Sequence, residues 1–151
     1  MQETNENNFS QESTIEPKTS KCPQTIEEGV MHQFNKEFAV EVKYWNLGRL
    51  DAGDCEIRKT DITIFEDGHY KLHIELHDHG TIFGDHFDIN VNLRGPAPQY
   101  ELIYREKIKR SLVAGGDTTI DITTKEPMQI IKENFDRITA ANRDLTCTPE
   151  Y

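Results

Sequence analysis

From Thr60 to Leu93 apolar and polar side chains alternate with a period of two, and two turn signals divide the run into three pieces. Alternation of this kind sends successive side chains to opposite faces of a strand, so a slip of one residue exchanges the faces and makes each register testable. Between Phe65 and His69, Glu66-Asp67-Gly68 supplies a turn with glycine where a left-handed backbone is needed. That turn predicts Ile62 opposite Leu72 and Ile64 opposite Tyr70 on one face, with Lys59 opposite Glu75 and Asp61 opposite His73 on the other. His79-Gly80 predicts a second, two-residue turn, which sets Leu76 against Phe83, Leu72 against Phe87 and Tyr70 against Ile89, and His73 against His86 on the polar side. A three-stranded antiparallel meander is therefore expected. Two irregularities accompany it: Asp85, beside Gly84, falls on the apolar face, and the alternation changes phase between Ile57 and Ile62. Both predict bulges or bends of the kind that curve a sheet.

The flanking segments are read from their own periods. Thr25-Ile26-Glu27-Glu28 has the form of a capping box, and Ile26, Val30 and Phe34 share one helical face, which predicts a helix from Ile26 to Lys36. Phe38, Val40, Val42 and Tyr44 then alternate with Glu41 and Lys43, predicting a half-buried strand with Lys43 outward. Two prolines in Arg94-Gly95-Pro96-Ala97-Pro98 end the central block. Further strands are expected over Tyr100–Tyr104 and Thr118–Thr124, with a turn at Ala114-Gly115-Gly116-Asp117 between them. Pro127 followed by Met128, Ile131, Phe135, Ile138 and Leu145 predicts a C-terminal helix lying on the sheet. Met1 to Lys21 is too poor in apolar residues to repay the entropy of ordering, so residues 1–21 are expected to be a disordered polar tail and 22–151 a single domain. The expected class is α+β: a mainly antiparallel β sandwich or partial barrel with flanking N- and C-terminal helices.

Charge limits the function classes. Against 17 Lys and Arg stand 27 Asp and Glu, a formal net charge of -10, which argues against a nucleic-acid binder. The basic run Arg105-Glu106-Lys107-Ile108-Lys109-Arg110 is read as a solvated strand end or loop. No apolar run is long enough for a membrane span, and the first residues lack the basic start and apolar stretch of a signal peptide. A full-length chain would then be cytoplasmic, and one whose leader was removed would be secreted. The three cysteines, Cys22, Cys55 and Cys147, have no zinc or redox spacing. In an oxidising compartment Cys22 and Cys147 could join if the chain ends meet, whereas a cytosol would keep all three reduced.

Five of the six histidines, His69, His73, His77, His79 and His86, fall in the central block. Under the two expected registers Asp61, His73 and His86 form a row across three strands, and neutral imidazole with carboxylate is a donor set for a divalent metal. The competing reading is a solvated polar face, or one that gains charge between pH 5 and 8. The sequence has no G-x-G-x-x-G, P-loop, H-E-x-x-H or nucleophile elbow, so no catalytic residue and no organic cofactor is indicated.

Trp45, then Gly53-Asp54-Cys55, then a strand ending Phe65-Glu66-Asp67-Gly68 and a further hairpin resemble a group of small uncharacterised bacterial β domains, many of them secreted. The resemblance covers about a third of the chain and implies a compact β fold with no activity to carry over. The leading expectation is a non-enzymatic acidic binding protein, immunity- or inhibitor-like, that masks a basic protein partner, because negative charge steers such association. The alternatives are a metal-dependent β-barrel enzyme using the His/Asp cluster and a small-molecule carrier.

Overall fold

The structure is a computed structural model and describes residues 9–11, 18–21 and 40–151. Its strands are β1 (Phe9–Gln11), β2 (Lys18–Lys21), β3 (Glu41–Leu47), β4 (Leu50–Ala52), β5 (Cys55–Phe65), β6 (Tyr70–Asp78), β7 (Gly84–Arg94), β8 (Leu102–Leu112), β9 (Asp117–Thr123) and β10 (Ala140–Glu150). One short helix, α1 (Gln129–Asn134), precedes β10. The strands form two antiparallel sheets, one in the order β1-β10-β7-β8 and one in the order β2-β3-β5-β6-β9 with β4 also on β5. Among the described residues neither sheet closes into a barrel. Their inner faces share one core, in which Ile62, Ile64, Leu72 and Ile74 of one sheet meet Phe87, Ile89, Leu93 and Leu145 of the other. Each such side chain contributes roughly 1.5–3 kcal/mol by leaving water.

The β5–β6 hairpin has the expected register: Lys59 faces Glu75, Asp61 faces His73, Ile62 faces Leu72 and Ile64 faces Tyr70. Gly68 has φ 103° and donates its amide to Phe65 O, the left-handed conformation that the turn demands. The expected bulge is a register shift between Ile57 and Lys59.

The second hairpin does not form. β6 pairs with β9 on its free side, and β7 pairs with β8 and β10 in the other sheet. Residues 79–83 cross from sheet to sheet, so the apolar faces of β6 and β7 oppose each other through the core. A period of two states which face is buried; it does not name the neighbouring strand.

The C-terminal expectation is corrected in the same way. Ile131, Phe135 and Ile138 are buried as a helical stripe would require, but α1 ends at Asn134 and Leu145 lies in β10. Eleven residues of β10 pair with β7, and that ladder outweighs the continuation of a helix. Among the described residues the expected C-terminal helix reduces to one short helix. The helix expected over Ile26–Lys36 lies outside the described residues, as do Phe38 and Cys22. Inside the segment expected as a polar tail, β1 pairs with β10 and β2 with β3. The basic run around Ile108 is part of β8.

β3 faces the opposite way from the expected phase. Lys43, Trp45 and Leu47 stand beside Ile64, Ile62 and Thr60 and are buried. Lys43 is accommodated because its ammonium donates to Phe135 O at 2.6 Å and Ile138 O at 2.9 Å and lies 4.6 Å from the centre of the Phe135 ring. Burial lowers its pKa, opposed by the charges of Glu41 and Asp136.

A disulfide joins Cys55 to Cys147, with the Cα atoms 5.7 Å apart. This overturns the conditional Cys22–Cys147 pairing: β10 is a strand, so Cys147 sits beside Phe87 on the inner face of one sheet, opposite Cys55 on the inner face of the other.

Candidate functional site

The two ends of the molecule differ. At the β5–β6 turn, α1 closes over the sheet edge, with the Met128 amide bonded to Gly68 O. At the other end, residues 79–83 pass between the sheets uncovered. The crossing is tied down by its backbone: Asp78 N donates to Gly116 O at 2.9 Å, His79 N to Asp54 O at 2.8 Å, and Gly80 N to Asp78 Oδ1 at 2.6 Å. Gly80 has no room for a side chain, because a Cβ there would collide with Phe83 O and come within 2.9 Å of Asp78 Oδ1 and 3.4 Å of Asp85 Oδ2. Gly84 is equally restricted, by Leu112 O on β8.

This end carries most of the large exposed apolar side chains: Ile82 is 78% exposed, Val113 76% and Tyr151 93%, and Phe83 is 49% exposed with its ring edge-on to Tyr151 at 5.2 Å. Open grooves of about 320 and 260 Å³ flank Phe83. The first is lined by Leu112, Val113 and Ala114; the second is bounded by Asp54, Asp85 and Pro149.

Beneath the loop two carboxylates are enclosed. Asp78 and Asp85 are buried, and Asp78 Oδ2 and Asp85 Oδ2 have no hydrogen-bond partner. The Asp85 carboxyl is pushed up to about 7, first by burial, then by a hydrogen bond with the Asp78 carboxyl and the charges of Asp78, Asp54 and Glu150. The irregular position of Asp85 in an apolar strand face was the sequence signal for this pair.

The histidines lie elsewhere. On the outer face of the six-stranded sheet His73 shares hydrogen bonds with Asp121 (Nδ1 to Oδ1, 2.6 Å) and Glu75 (Nε2 to Oε2, 2.9 Å), which raise its pKa. Asp61, across from His73 in the register, accepts from Asn46 Nδ2 at 2.7 Å and lies 3.4 Å from Lys59 Nζ. His77 meets Asp117 at 2.7 Å and His79 meets Glu56 at 2.6 Å. His86 is on β7 in the other sheet, 3.1 Å from Ser111 Oγ. The structure therefore brings Asp61 and His73 side by side and removes His86 from the row, because β6 and β7 are not neighbours. Among the described residues no group of three His, Cys, Asp or Glu side chains is arranged to hold a metal ion.

No family model matches the chain, and no curated protein matches it. Among solved structures it is weakly similar to a DUF1425 family member from Shewanella sp. pv-4, with TM-score 0.33 and 7% identity over 78% of this chain and 85% of that one. A second likeness is to the CBM22-1 and GH10 modules of endo-1,4-beta-D-xylanase 10B from Clostridium thermocellum, solved with xylohexaose, with TM-score 0.31 and 21% identity. That match covers 70% of this chain but 23% of the xylanase chain. Both scores are too low to carry a fold or a function from either protein to this one. Among the described residues no helix is long and apolar enough to cross a membrane.

Proposed function

We propose that this protein is a non-catalytic binding module that takes a basic protein partner at its open end, in the manner of an immunity or inhibitor protein. One observation carries the reading: Ile82, Phe83, Val113 and Tyr151 are exposed together, bordered by Asp54 and Glu150, on a chain of net charge -10. Exposed aromatic side chains beside a groove are the residue type that anchors protein interfaces. Surrounding carboxylates speed the approach of a cationic partner and penalise an acidic one. The Cys55–Cys147 bond supports an oxidising compartment as its place of work.

Selection from a displayed library of random peptides tests this. The wild-type protein should enrich sequences that set Lys or Arg beside an aromatic or aliphatic residue, and binding should weaken steeply as salt rises past physiological strength, where the Debye length is about 8 Å. Phe83→Ala should weaken the selected peptides at least about tenfold, the loss of an interface anchor. Acidic consensus sequences, or affinity indifferent to both salt and Phe83, would overturn the reading.

A further inference from the structure

Asp78 and Asp85 present a problem of charge that the fold around them does not solve. Both are almost completely enclosed, at 0% and 3% exposure, and each leaves an oxygen without a partner. Asp78 spends its other oxygen on the Gly80 amide. Asp54 and Glu150 add to the negative potential at Asp85. Two carboxylates brought together away from water repel each other and forfeit their hydration, so such a pair holds either a shared proton or a cation between its members.

The loop supplies a further oxygen. Phe83 O, Asp78 Oδ1 and Asp85 Oδ2 converge on the space around Gly80, where a Cβ would collide with the first and crowd the other two. Any larger residue at position 80 would push these three oxygens apart. The set is made entirely of oxygen, with two of its members charged. His79, the nearest imidazole in sequence, has its Nε2 engaged by Glu56 Oε1 at 2.6 Å. Oxygen donors without nitrogen or sulfur suit a hard cation, and calcium accepts irregular coordination by carboxylates, backbone carbonyls and water.

We infer that Asp78 and Asp85, with the Phe83 carbonyl, form a calcium site beneath the 79–83 crossing, a site that stands independently of which partner the open end takes. Calcium would neutralise the facing carboxylates and fix the loop that presents Ile82 and Phe83. Water would complete its coordination.

The test uses the full chain, stripped with a chelator and titrated with calcium chloride alone. Calorimetry should record uptake of about one equivalent, and saturating calcium should raise the melting temperature by roughly 5 °C or more over the chelated protein, the linkage expected of a ligand that binds only the folded state. Asp85→Asn and Asp78→Asn should each abolish both responses. In chelator both variants should melt at or above the wild type, because each removes one of two opposed charges, so loss of calcium uptake cannot be mistaken for failure to fold. Phe83→Ala should keep the calcium response, since its carbonyl remains. Absence of heat and of any melting shift in the wild type would overturn the site and leave a shared proton as the positive charge between the two acids. A calcium response that survives in both Asn variants would overturn it as well.

Discussion

The closed end and the open end each bury charge, and they do so in contrasting ways. Under α1 the Lys43 ammonium donates to two carbonyl oxygens and lies against an aromatic ring, so its cost of burial is offset by groups of this chain. Under the 79–83 crossing Asp78 and Asp85 face each other with unpartnered oxygens. A buried charge with its partners built in belongs to the architecture, whereas a buried pair lacking its counter-charge points to something received from outside. The apolar side chains divide in a similar way: Ile131, Phe135 and Ile138 are covered at the closed end, with Ile130 left exposed there, while Ile82, Phe83, Val113 and Tyr151 are left open at the other.

The strongest way to break the contrast is to cut the bond that links the sheets beside the open end. Cys55 and Cys147 are separated by 92 residues, and removing the cross-link through Cys55→Ala with Cys147→Ala should cost about 4 kcal/mol in a denaturant titration, most of it through the freed unfolded chain. A loss under 1 kcal/mol would mean that the strand ladders alone hold this end. At the closed end Lys43→Met keeps the stem and removes the ammonium, leaving Phe135 O and Ile138 O without that donor. It should cost about 2 kcal/mol, measured the same way. A variant as stable as the wild type would show that the closed end is no better compensated than the open one.

Smallest is the effect expected between the ends, on the outer sheet face. Hydrogen bonds from Glu75 and Asp121 hold the pKa of His73 above its ordinary value of 6.5. A raised folded-state pKa adds stability that is complete below the unfolded pKa and disappears as pH rises through the folded one. The melting temperature of the wild type should therefore exceed that of His73→Gln most below pH 6.5, and the gap should close as the pH is raised above it. A gap that widened with pH would show that the imidazole is neutral in these contacts.

Much of this was readable in the residues, where local rules were sufficient. The β5–β6 register followed from Glu66-Asp67-Gly68, because a short turn fixes the pairing and both faces then agree. The neighbour of β6 did not follow, since alternation in β7 is equally satisfied beside β6 or across the core from it. A β6–β7 hairpin would set Asp61, His73 and His86 in a row, whereas the crossing between the sheets encloses Asp78 and Asp85 instead. β10 was hidden by the helical spacing of Ile131, Phe135 and Ile138, which Leu145 continues by coincidence, and by Arg143, an inward position that interrupts the alternation of Ala141, Leu145 and Cys147. Arg143 donates to Thr60 Oγ1 at 3.0 Å across the core, a contact with a residue on a different sheet that no local pattern announces. The inward turn of Lys43 is hidden from local sequence for a similar reason: its partners come from a segment more than ninety residues away.

The bond between Cys55 and Cys147 also makes the chain topologically a loop with two tails. Every strand from β6 to β9, the 79–83 crossing and α1 lie within the ring that it closes. A protease that cleaves the crossing therefore opens the ring without dividing the molecule. Both pieces remain covalently tethered beside the break, and only cleavage followed by reduction lets them part.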